Sequence, residues 1–187
     1  MRQLTFLFSA LMMVSMVVFS GCGSKEPARP AKFANAPEWV LNPQTEEGLA
    51  AVGSAQKSPG GMQFQRTEAM ANARDELARI LSVKVNNMTK NFMQSTGVGD
   101  AQTFEKVASQ VSKQVASQTL EGSRQKDVWI AEDGELYILV TLDPATVKEY
   151  TKEAMRTSMK NEEALWQQFQ AQKADQQLDA EIEKMLQ

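Results

Sequence analysis

Residues able to do covalent or proton chemistry are few in this 187-residue chain. Cys22 is its only cysteine and closes the stretch Phe19-Ser20-Gly21-Cys22. A sole thiol has no partner for an intramolecular disulfide, so something else must account for its position. Glu132, Asp133 and Glu135 form a carboxylate cluster around an Asp-Gly turn. Carboxylates exchange protons usefully where burial or a neighbouring charge tunes them, and a turn tip is expected to be solvated and catalytically ordinary. The chain has no histidine, which removes His-dependent triads, His metal sites and imidazole shuttles. Ser58-Pro59-Gly60-Gly61 lacks the glycine and lysine spacing of phosphate-cradling loops and reads as a plain loop. The eleven methionines show no metal-site spacing and read as packing residues. The expectation is a protein without catalytic residues, cofactor, metal or small-molecule substrate.

What positions Cys22 is the leader before it. Arg2 supplies a positive charge, the run from Leu4 to Phe19 is almost wholly apolar, and Ser20-Gly21 offers small side chains to a peptidase. This is the layout of an export signal. As a helix the run would reach roughly 24 Å, short of the ~30 Å of a hydrocarbon core, which argues against a permanent transmembrane span. The leader resembles a bacterial lipoprotein signal, although Phe19 stands where Leu is usual. That resemblance implies cleavage after Gly21 and modification of Cys22 to an N-palmitoyl, S-diacylglycerol cysteine. Several acyl chains together hold a protein on a membrane durably, where one chain does so only marginally. Gly23, rather than Asp, follows the cysteine, so by the same resemblance the expected location is the outer membrane, with the domain on its periplasmic face. An ordinary cleavable signal with an incidental cysteine is the plainer alternative.

The formal net charge is -3, with Asp and Glu scattered and no basic cluster, which disfavours a nucleic-acid partner. Domain boundaries follow from composition: 1–21 as signal peptide, 22–37 as lipidated tether, 38–158 as the folded domain and 159–187 as a polar, Gln-rich C-terminal helix. Gly23 to Pro37 carries three prolines and few apolar groups, too little to offset the entropy of folding. Trp39 reads as the side chain that docks on the core and starts the domain, with a binding role as the alternative.

Leu49–Ala55 is a short apolar run bounded by turn residues, a strand signal. From Met62 to Ser95, Ala69, Ala73, Leu77, Leu81, Val85, Met88 and Phe92 recur every three or four residues, the stripe of a long helix. At ~1.5 Å per residue such a helix approaches 50 Å, and its far end is expected to bend or project. Past Gly97–Asp100 a second helical pattern runs from Phe104 to about Gln118. From Thr119 the period becomes two, and Val128-Trp129-Ile130 and Leu136–Leu142 flank Glu132-Asp133-Gly134, where Asp-Gly would supply the positive φ angles of a tight hairpin. Leu136, Ile138, Val140 and Leu142 are expected to face the helices and Tyr137, Leu139 and Thr141 the other side. Asp143-Pro144 caps a last helix through Val147, Tyr150 and Ala154 that can extend to Leu186. Its Gln-rich second half either projects toward a partner or lies solvated, held by pairs such as Glu149 with Lys152. The fold class is α+β: a small antiparallel sheet, made of a strand and a β-hairpin, packed on long helices in the order β-α-(α)-β-β-α, with a long C-terminal helix.

Pro37-Glu38-Trp39-Val40, Leu49–Ala55, the Ala-rich helix Ala69–Ala78 and the hairpin Trp129–Leu142 together resemble the outer-membrane lipoprotein family typified by the twenty-kilodalton lipoprotein antigen of Helicobacter. That family includes the flagellar lipoprotein FlgP. The resemblance covers roughly Pro37 to Tyr150 and implies a small lipid-anchored domain with no enzymatic residues to carry over. It implies a structural, assembly or adaptor role in the envelope, with homo-oligomers or envelope proteins as partners. A flagellar ring component and a periplasmic activator of cell-wall enzymes are the alternatives.

Overall fold

The computed structural model describes residues 30–44 and 48–187. The chain divides into two units, Met1–Ala34 and Asn35–Gln187. In the first, the described residues include a 3₁₀ turn at Ala31–Phe33. In the second, Ala36 is already buried, so the last residues read as tether carry structure.

The second unit begins with the short helix α1 (Glu38–Leu41), then β1 (Leu49–Ala55), α2 (Gly61–Thr96), α3 (Ala101–Gly122), β2 (Arg124–Ile130), β3 (Leu136–Leu142), α4 (Pro144–Lys160), α5 (Glu163–Ala171) and α6 (Asp175–Leu186). The strands form one antiparallel sheet in the order β1-β3-β2, which is the expected α+β class.

The stripe on α2 is real: Ala69, Ala73, Leu77, Leu81, Val85, Met88 and Phe92 are all buried. Its amino-terminal half lies on β1 at Gly53, where an added Cβ would overlap the backbone of Ala69 and Ala73. Glycine there lets helix and strand backbones approach as no other residue could. The carboxy-terminal half does not project as expected. Helix α3 packs along it and α6 also touches it, so that Met88, Phe92 and Met93 are enclosed.

The α2–α3 turn follows from its residues. Gly97 takes φ +66°, the Val98 N–H bonds the Met93 carbonyl at 3.2 Å, and Val98 is fully buried, the pattern of a left-handed helix stop with its apolar contact. Asp100 then caps α3 by accepting from the Thr103 N–H at 2.9 Å. Helix α3 continues to Gly122, so the first residues of the stretch read as alternating from Thr119 complete the helix instead.

Two expectations for the C-terminal half are corrected. The hairpin turn is not a two-residue turn with two left-handed positions. The Gly134 N–H bonds the Ala131 carbonyl and the Ala131 N–H bonds the Glu135 carbonyl, both at 2.9 Å, and among the described loop residues only Gly134 has positive φ. A longer loop with one left-handed glycine suffices. Tyr137 and Leu139 lie on the other face of β3 as expected, and they are buried as well as its helix-facing residues. Trp129 lies 5.3 Å from Tyr137 on that second face, and α1 packs against β3. Second, the last helix is broken twice, at Asn161–Glu162 and at Gln172–Ala174, where Lys173 takes φ +49°. These breaks turn α5 and α6 back onto the domain, burying Leu165, Phe169, Leu178, Ile182 and Met185 in the same core as α2.

Candidate functional site

Cys22, the one residue singled out for covalent chemistry, lies outside the described residues, as do the leader and the first part of the tether. Among the described residues, no helix is long and apolar enough to cross a membrane. Nor do the Asp and Glu side chains among the described residues form a group of three able to hold a metal ion.

The carboxylates of the hairpin do not converge. Glu132 and Asp133 are exposed while Glu135 is buried, against the expectation of a uniformly solvated tip. Asp133 accepts the Glu135 N–H at 3.0 Å, which makes it part of the turn. The Ser58–Gly61 loop is likewise spent on its own geometry. The Gly60 N–H bonds Ser58 Oγ and the Gly61 N–H bonds the Ser58 carbonyl, the step that opens α2. Trp39 is half-buried with its indole Nε1 enclosed, in keeping with a docking residue.

Titration behaviour reports structure as well. Hydrogen bonds from Thr103 hold the Asp100 carboxyl below its ordinary range, and the Thr146 hydroxyl does the same for Asp143 at the start of α4. Lys148 is raised, chiefly by its bond to Glu183. The clefts are open surface features. One of about 290 Å³ lies between α2 and α6, lined by Lys84, Asn87, Asn91, Glu181 and Lys184. Glu181 there is paired with Lys184 at 2.7 Å, so the cleft presents no convergent set of unpaired catalytic groups.

One constellation was missed in the sequence. Lys148, Lys152 and Arg156 stand one turn apart on α4 and meet Glu183, Asp179 and Asp175 of the antiparallel α6, with N···O distances of 2.6, 2.6 and 2.5 Å. The signal was present as two sets of like charges, each spaced by four residues and opposite in sign. Lys152 therefore reaches Asp179 rather than pairing along its own helix with Glu149. The ladder fixes which face of α6 meets α4.

No curated protein sequence matches the chain. The model of the LPP20 lipoprotein family matches residues 37–143, from the residue before α1 to the cap of α4. The match takes in the whole sheet and the α2–α3 hairpin, and it ends before the charge-laddered C-terminal segment. The chain belongs to the LPP20 lipoprotein family.

Proposed function

We propose that this protein is a non-enzymatic outer-membrane lipoprotein, anchored through acylated Cys22, whose domain serves as a structural or adaptor module on the periplasmic face of the envelope. The observation that carries this reading is the family match beginning at residue 37, behind a leader whose only cysteine follows Phe19-Ser20-Gly21. The polar groups described above support it, since they cap helices, close turns and pair helices. The stretch between Cys22 and the 3₁₀ turn at Ala31–Phe33 would span up to roughly 25 Å if extended, a reach on the scale of the lipid headgroup layer.

Labelled palmitate given to cells should enter the wild type and not Cys22→Ser, and the variant should appear in the soluble periplasmic fraction. Equal labelling of both would overturn the anchor. Normal anchoring with fractionation to the inner membrane would overturn the outer-membrane placement alone.

A further inference from the structure

Two helix stops in this chain share one geometry and differ in the residue that holds it. At the end of α2 the left-handed position is Gly97, with the Val98 N–H on the Met93 carbonyl. At the end of α5 it is Lys173, at φ +49°, with the Ala174 N–H on the Phe169 carbonyl at 3.3 Å and Ala174 buried. Glycine takes that conformation freely, whereas a lysine is strained in it. The strain sits in one exposed residue. Gln172 has φ −88° and ψ 1°, and Ala174 φ −72° and ψ −5°, both on the right-handed side. Bringing Lys173 into that region, with small adjustments beside it, joins α5 and α6 into one helix. Gln172, Lys173 and Ala174 are all good helix formers, and residues 163–186 so joined would reach about 36 Å.

Helix α6 packs on α2 and α4 through contacts that another copy would supply unchanged. Leu178, Ile182 and Met185 form its buried stripe, and the three acids of the ladder lie beside that stripe, one turn apart. We infer that α6 exchanges between two copies of this chain. In each copy Lys173 turns right-handed, α5 and α6 straighten into one helix, and α6 docks on α2 and α4 of the other. The seat itself specifies this occupant. Three cations one turn apart on α4, next to the apolar stripe of α2, accept a helix whose acids recur at every fourth position beside an apolar stripe of its own, and α6 is such a helix. A short strained hinge favours exchange, because every docking contact is kept while the strain is released. A straightened chain bares both its α6 stripe and its seat, so the exchange is reciprocal and closes at two copies. With glycine at the same position, the α2–α3 stop has no such strain to release. The inference does not depend on the lipid anchor.

The test uses the full-length chain in detergent, with micelles in excess over protein, refolded from urea and followed by sedimentation equilibrium. Wild type should show a monomer–dimer equilibrium. Lys173→Gly relieves the kink and weakens the straight helix at both hinges of the dimer, so its dissociation constant should rise about a hundredfold or more. Exchange itself is read by complementation. One variant carries Lys148→Glu, Lys152→Glu and Arg156→Glu, the other Asp175→Lys, Asp179→Lys and Glu183→Lys, and each alone sets like charges across the seam. Refolded together, they should form a heterodimer about tenfold or more tighter than either variant with itself, because exchange restores both ladders. Adding Lys173→Gly to both should remove that gain. If the triple variants fail to fold, Lys152→Cys and Asp179→Cys in separate copies should be joined by a short bismaleimide in the refolded mixture and in neither alone. Wild type, carrying only Cys22, is the control, since an unmodified Cys22 would show itself as cross-linking in every sample. A wild type still monomeric at about 1 mM, a Lys173→Gly dimer as tight as wild type, a heterodimer indifferent to Lys173→Gly, or cysteine copies that do not join in the mixture would each overturn the inference.

Discussion

Gly53 of β1 and Ala73 of α2 pack backbone to backbone: a Cβ on Gly53 would sit 2.7 Å from the Ala73 Cα and would overlap its nitrogen. The helix can lie on the strand because Ala69 and Ala73 are small and Gly53 has no side chain. Relief would require moving a helix whose buried stripe runs from Ala69 to Phe92. Gly53→Ala is therefore expected to destabilise by about 3 kcal/mol or more in urea unfolding. Gly134→Ala meets only the flexible Lys57 side chain at 3.1 Å and φ +83°, and should cost about 1–2 kcal/mol. Equal costs would mean that the helix–strand approach is not what Gly53 serves.

Gln65 ties two distant segments together. It is buried, and its Nε2 donates to the Ala55 carbonyl at 2.9 Å and to the Gly134 carbonyl at 2.7 Å, linking the end of β1 to the hairpin loop. Gln65→Leu keeps the bulk and removes both donors, leaving two carbonyls without that partner. A loss of about 2 kcal/mol is expected, with faster amide exchange in the Ala131–Glu135 loop. Unchanged exchange there would show that the loop holds its shape without Gln65.

Much of this was legible because it is local. The stripe on α2 needs only the helical period, the start of α4 only Asp143-Pro144, and β3 only its run of β-branched and aromatic side chains. What the sequence hid is non-local. Leu139 looks outward on its own strand, and its burial depends on what packs over the second face of β3. Gly53 reads as a weak point in a strand until Ala69 and Ala73 are placed above it. The folding back of α5 and α6 depends on burying Leu165, Phe169, Leu178, Ile182 and Met185 against α2, with a charge match between residues 148–156 and 175–183 setting the facing sides, and no single helical segment reveals either. For Cys22 the position is reversed: its signal lies wholly in the neighbouring leader.

The two aspartate caps predict an acid-sensitive end to stability. Asp100 and Asp143 have folded-state pKa values below their ordinary 3.8, because their charged forms accept hydrogen bonds from Thr103 and from Thr146 and Ala145. A depressed folded value means stability that is present above the unfolded pKa and lost as pH falls through the folded one. Wild-type urea midpoints should fall below about pH 4, and Asp143→Asn should show a shallower fall over the same range, since Asn cannot be protonated there. Lys148 has the opposite sign. Its value lies above 10.5 through the bond to Glu183, so its contribution holds at neutral pH and fades only in strong alkali. Parallel acid slopes for wild type and Asp143→Asn would remove the cap from the account.

The C-terminal segment poses a question of magnitude, because two kinds of interaction hold it. The ladder from α4 to α6 is conspicuous, but its side chains are partly exposed, with Lys152 at 28% and Asp179 at 36%, and such a pair contributes roughly 0.2–1 kcal/mol. Phe169 is 1% exposed, 6.1 Å from the ring of Phe92 and stacked at 5.4 Å on Trp166. Truncating such a side chain typically costs about 3–5 kcal/mol. Packing should therefore dominate, with the charges selecting which face of α6 meets α4. Lys152→Ala or 1 M salt should shift the urea midpoint slightly, and Phe169→Ala substantially. Truncation after Lys160 would uncover Met88, Phe92 and Met93 together, and the shortened chain should bind a hydrophobic dye and aggregate. A truncated chain as stable and soluble as the full one would mean that residues 161–187 are an appendage and not part of the core.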